Sequence, residues 1–120
     1  MSDQHNDPYA GFKYRLAKTS DEARAEAVAK RHARGGRTAR ENLADLTDGG
    51  ALSEYGQLAV AAQRTRRQGD ALYADTAADG VITAVGAVNA ELFSGEQSQT
   101  ALIINDYSVL AGTQGYFHHR

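Results

Sequence analysis

Two apolar stretches late in the chain constrain the fold most: "VITAVGAVNA" (Val81 to Ala90) and "TALIIND" (Thr100 to Asp106). Both are rich in β-branched or small residues and lack strict alternation, the pattern of strands covered on two faces. The segment between them, "ELFSGEQSQ", reads as a turn region. Two such strands so close together point to a layered fold, α/β or α+β, with most strands late. Twelve glycines against a single proline (Pro8) agree. Tight turns and close backbone approach call for glycine more than a helical bundle does.

Helices precede the strands. "TSDE" (Thr19 to Glu22) has the form of a capping box and predicts a helix through "EARAEAVAKRHAR". Acids stand in its first turn and bases in its last, matching the macrodipole, and Gly35-Gly36 ends it. A second box, "TARE" (Thr38 to Glu41), opens a short helix with Leu43 and Leu46 on its apolar face, closed by "TDGG". Residues 1–18 are polar with isolated aromatics at Tyr9, Phe12 and Tyr14, and read as a flexible arm that needs another surface to order it. "ALSEYGQLAVAAQ" fits extended pieces and a brief helix around Leu58 to Ala62 equally well. Arg64 to Gly80 reads as a loop.

A chain of 120 residues supports one hydrophobic core and not two. Its net charge of -2 gives no reason to expect nucleic acid or an acidic membrane as partner. With no cysteine, disulfide scaffolding, a cysteine nucleophile and thiolate zinc sites are excluded. The opening "MSDQHNDPYA" lacks the apolar core of a secretory signal, and no run approaches the roughly 18 apolar residues of a membrane span. The expectation is a soluble, cytoplasmic chain.

Candidate sites are few. The basic run Arg24, Lys30, Arg31, Arg34, Arg37 and Arg40 carries no interleaved aromatic or amide readout residues, so it reads as a solvated or subunit-facing surface. "RTRR" (Arg64 to Arg67) has forks suited to phosphate, but the same bland reading applies. His5, His32, His118 and His119 make no metal-ligand set. Ser108 lacks both a nucleophile elbow and an evident base. The richest segment is "NDYSVLAGTQG", where a strand ends at Asp106 and Gly112 and Gly115 bracket Thr113. Glycines there permit close approach to a ligand, and N–H groups at a helix start favour an anion or carbonyl oxygen. On these residues alone an ordinary strand-to-helix turn, with small residues for tight packing, explains them better.

Three stretches in order go further: "RGGRTARENLADLTDGGALSEYG", "DGVITAVGAVNA" and "LIINDYSVLAGTQGYFHHR". Together they resemble the biotin-dependent acyl-CoA carboxyltransferases, the carboxyltransferase (beta) subunits of propionyl-CoA, acetyl-CoA or methylcrotonyl-CoA carboxylase. Matching positions are Arg34 to Asn42, Leu46 to Leu52, Gly80 to Ala84 and Asp106 to Thr113. The chain departs where "LTDGGAL" lacks the family's proline, and where residues are added between Val88 and Leu102. It departs again at Ala111, often glycine in the family, and at Tyr107 and Leu110, often phenylalanine.

The resemblance implies an α/β fold, the N-terminal portion of a crotonase-like β-β-α superhelix preceded by two helices, with residues 19–120 an incomplete carboxyltransferase domain. Its activity would be transfer of a carboxyl group from carboxybiotin to the α-carbon of an acyl-CoA. Paired backbone N–H groups would hold the developing enolate oxygen in loops beyond this chain, leaving it no catalytic residue and inactive alone. Ser108, Val109, Leu110, Ala111, Gly112 and Thr113 would line the acyl-CoA pocket, chiefly through backbone. Arg37, Arg40 and Glu41 would serve helix structure and subunit contact. Biotin would sit on a separate carrier domain, and a biotin carboxylase or carrier subunit would be the partner. The alternative is a non-catalytic interaction protein that pairs with a carboxylase subunit through an exposed strand edge. Such an edge favours homo-oligomers or aggregation.

Overall fold

The computed structural model describes residues 7–49, 52–62 and 69–112. Helices α1 (Pro8–Ala17), α2 (Ala25–Ala33) and α3 (Ala39–Leu46) come first, then strand β1 (Ser53–Tyr55) and helix α4 (Gly69–Asp75). Strand β2 (Val81–Ala87), the single-turn helix α5 (Gly95–Ser98) and strand β3 (Gln99–Asn105) follow. The three strands form one antiparallel sheet in the order β1-β2-β3.

Residues 8–17, expected as part of an arm, are helical. Asp7 accepts from the Tyr9 N–H at 2.9 Å, and Pro8 occupies the first turn, where its missing N–H costs nothing. The surface that holds α1 is α4: the Tyr14 hydroxyl donates to Asp70 at 2.8 Å, and the Arg15 guanidinium lies over the Tyr73 ring. The loop expected over residues 64–80 thus contains a helix in its described part.

The Thr19 capping box does not form. Its hydroxyl donates backwards to Leu16 O at 2.7 Å, closing α1, and a 3-10 turn at Glu22–Arg24 precedes α2. The second box forms in full: Thr38 Oγ1 accepts from the Glu41 N–H, and Glu41 Oε2 accepts from the Thr38 N–H at 2.8 Å. The open question over residues 51–63 resolves, among the described residues, as strand β1 and irregular chain without a helix.

Neither long strand is covered on both faces by the described residues. On one face Ile82, Ala84 and Leu102 pack with Ala39 and Leu43 of α3, and Ile104 lies against them. The register puts Thr83 opposite Ile103 and Val85 opposite Ala101 on the other face, where Ile103 is 77% exposed and Tyr55 60%. Both strands are long apolar runs, yet only one face meets helices here.

The added residues between the strands form an eleven-residue connection, 88–98, between the paired Ala87 and Gln99. Asp48 anchors it. Its carboxylate accepts from the N–H groups of Asn89 and Ala90 at 2.9 and 2.8 Å, while its own N–H donates to Ala87 O. No helix among the described residues is long and apolar enough to cross a membrane.

Candidate functional site

At the opposite end of the β2–β3 hairpin the chain leaves β3 through residues 106–112 and runs beside α2 and the end of α4. A groove of about 580 Å³ lies between these three segments. Its lining includes Arg24, Lys30, Arg31 and Arg34 on one side and Tyr107, Ser108, Leu110 and Ala111 on the other.

Arg24 ties the walls together. Its Nε donates to Ala74 O at 3.0 Å, Nη1 to Asp106 Oδ2 at 3.0 Å and Nη2 to Ser108 Oγ at 2.9 Å. The side chains of Arg24 and Asp106 are only 5% and 9% exposed. Asp106 Oδ1 accepts in turn from both the N–H and the hydroxyl of Ser108, at 2.9 and 2.5 Å. One buried guanidinium therefore joins the α2 entry, the α4 exit and the loop after β3. Arg24 is no part of a solvated basic face, although the sequence run suggested one.

The loop is held in an unusual conformation. Leu110, Ala111 and Gly112 have φ of 47°, 54° and 76°, three left-handed residues in succession. Each non-glycine residue there costs about 1–2 kcal/mol. Ala111, one of the departures from the family the sequence resembles, is left-handed here, a backbone that favours glycine. Ala111→Gly is expected to stabilise the chain by up to about 1 kcal/mol, read as a higher urea midpoint; an unchanged or lower midpoint would count against this backbone.

Tyr107 is clasped beside that turn. The Arg31 guanidinium lies 4.8 Å from its ring centroid, and a Cβ on Gly112 would stand 2.9 Å from its Cδ2. Arg31 in turn packs over Gly36, where a Cβ would meet its Cζ at 2.4 Å, and donates to Arg37 O. Glycine is favoured at Gly112 by its left-handed backbone and the ring beside it, whereas at Gly36 the end of the Arg31 side chain could give way.

Of the residues expected to line an acyl-CoA pocket, Ser108, Leu110 and Ala111 line the groove. Val109 does not line it and is 1% exposed, the largest of the fully buried side chains among the described residues. Gly112 faces the Tyr107 ring, and Thr113 lies outside the described residues, as do Gly115, the expected helix start and Arg64 to Arg67. Sequence reasoning missed Arg24, Arg31 and the α4 wall. Arg24 and Asp106 are 82 positions apart, so no local spacing could flag them.

Two of the remaining bases, Arg40 and Arg37, have structural partners. Arg40 forms a two-pronged pair with Glu54 at 2.8 and 2.9 Å and also donates to Thr19 O, joining α3 to β1. Burial alone would lower the Arg40 pKa, but its bonds and attraction to Glu54 prevail and raise it. Arg37 pairs with Asp45 at 3.1 Å. Among the described residues no group of His, Asp and Glu side chains is placed to hold a metal ion.

Glu41 is held below the usual carboxylate range, chiefly by the Thr38 N–H, with burial opposing and His32 and Arg37 assisting. A depressed folded-state pKa adds stability above the unfolded value of about 4.3, and that stability is lost as pH falls through the folded value. Glu41→Gln should therefore flatten the acid-side decline of the urea midpoint. A variant and parent with parallel pH profiles would refute this.

Comparison with known proteins places the arrangement. No family model and no curated protein matches the chain. Among solved structures, a single-chain, multi-domain long-chain acyl-CoA carboxylase matches at 49% identity and TM-score 0.87, over 92% of this chain and 11% of that one. Transcarboxylase 12S, solved as a hexameric multienzyme core with hydrolysed methylmalonyl-coenzyme A bound, matches over 98% of this chain and 21% of its own at TM-score 0.64. A second 12S structure, with methylmalonyl-coenzyme A and methylmalonic acid bound, gives TM-score 0.61 over 94% and 20%. Identity to both 12S chains is 22%, so they speak to the fold alone. The chain spans a small part of each of these proteins. The chain is thus similar in sequence and fold to one segment of a long-chain acyl-CoA carboxylase, and in fold to one segment of the transcarboxylase 12S carboxyltransferase.

Proposed function

We propose that this chain forms one wall of the acyl-CoA cleft of a biotin-dependent carboxyltransferase, which moves a carboxyl group from carboxybiotin to an acyl-CoA. The observation that carries the reading is the groove itself, which brings Ser108, Leu110 and Ala111 beside a basic helix. Bases suit the anionic phosphates of coenzyme A, and the apolar and backbone surface of the loop suits its uncharged arm. In this reading biotin arrives on a separate carrier domain. The donors that stabilise the enolate then come from other parts of the assembly, and the chain alone is expected to bind without turning over. The open sheet face, with Ile103 and Tyr55 exposed, is where it would join the rest of the assembly or a second copy.

The test is an amide-correlation NMR titration of the isotope-labelled chain with an acyl-CoA. Shifts confined to Tyr107–Ala111 and the facing residues of α2 support the reading. A well-dispersed spectrum that ignores millimolar ligand would end it.

A further inference from the structure

We infer that Ser108 offers the groove a hydrogen-bond acceptor and no donor, so that it takes a secondary amide N–H from the arm of the bound acyl-CoA. This rests on the function proposed above and adds an orientation to it. A guanidinium can only donate, and an ionised carboxylate can only accept. The bond from Arg24 Nη2 therefore occupies one lone pair of Ser108 Oγ, and the hydroxyl proton is committed to Asp106 Oδ1 at 2.5 Å. The Ser108 N–H is committed to the same carboxylate oxygen. One lone pair is left on a residue that lines the groove.

The ligand chemistry follows from that polarity. Thioester carbonyls, phosphates and carboxylates are acceptors, and a lone pair beside the Asp106 carboxylate repels them. The donors that an uncharged acyl-CoA arm repeats along its length are its two secondary amides. The arm therefore lies along Ser108, and the phosphates lie toward Lys30 and Arg34, whose charges face the same groove. Among the described residues Arg34 makes no side-chain ion pair, and Lys30 pairs only with the exposed Glu26. Ser108 is on this account also no nucleophile: its proton is held by an acid that is itself tied to Arg24.

The experiment compares three probes on the full chain, an S-acyl pantetheine and its two ester analogues, in which oxygen replaces one or the other amide N–H. One ester position should bind about three- to tenfold more weakly to the parent chain, the usual effect of one hydrogen bond. That difference should vanish in Ser108→Ala and persist in Ser108→Thr, which keeps the hydroxyl; the Thr variant guards against simple loss of the loop. Equal affinity for amide and ester in the parent, or a difference that survives in a folded Ser108→Ala, overturns the inference while binding of the acyl-CoA still upholds the cleft. Failure of every thioester to bind overturns both.

Discussion

Arg24→Met is expected to lower folding stability by about 3–5 kcal/mol, the usual result of removing one partner from a buried ion pair. The guanidinium makes three hydrogen bonds, to the end of α4 and to two residues of the loop after β3, and without it the Asp106 carboxyl is left without its cation at a position where water scarcely reaches. The cost is desolvation of the orphaned carboxylate more than lost attraction. A second variant separates these: Arg24→Met combined with Asp106→Leu should recover most of the loss, since an apolar pair of similar volume avoids the unpaired charge. Equilibrium urea denaturation of parent, both single variants and the double variant closes the cycle. A single variant within about 1 kcal/mol of the parent would mean that the pair is solvated and that Arg24 does not hold the loop.

The next largest effect is expected at Leu43. It is 4% exposed and sits where α3 meets Ile82, Ala84 and Leu102, so Leu43→Ala should cost about 2–5 kcal/mol through lost burial and a cavity. Leu46, on the same expected apolar face, is 49% exposed, and its change to alanine should fall within about 0.5 kcal/mol. Comparable losses at both sites would show that α3 packs on the sheet at a different rotation, or that another surface covers Leu46.

These cases show what local pattern could and could not convey. The Thr38–Glu41 box was legible because all its partners lie within four residues. The Thr19 box carried the same end letters, but α1 ends just before it and claims the hydroxyl proton, while Gln57 donates to the hydroxyl oxygen and Arg40 to the Thr19 carbonyl. Helix α4 went unread because it is only seven residues long and begins on glycine, a composition that resembles a turn. Both strands were legible from composition, whereas which face meets α3 depends on pairing between segments far apart. At the site, the glycine-punctuated loop was visible and its strut was not. Nothing in "TSDEARAEA" distinguishes Arg24 from a solvent-facing first-turn arginine.

The Asp48 clasp has a consequence for how the molecule can be altered. It closes the eleven-residue connection onto the far end of the hairpin, whereas the groove opens beyond Asn105 at the near end. Seven paired residues, about 20 Å of strand, separate the two. Length and composition around Leu92 and Phe93, both well exposed, are thereby insulated from the groove. A spectroscopic label or a short graft placed there would report on the chain without entering the groove.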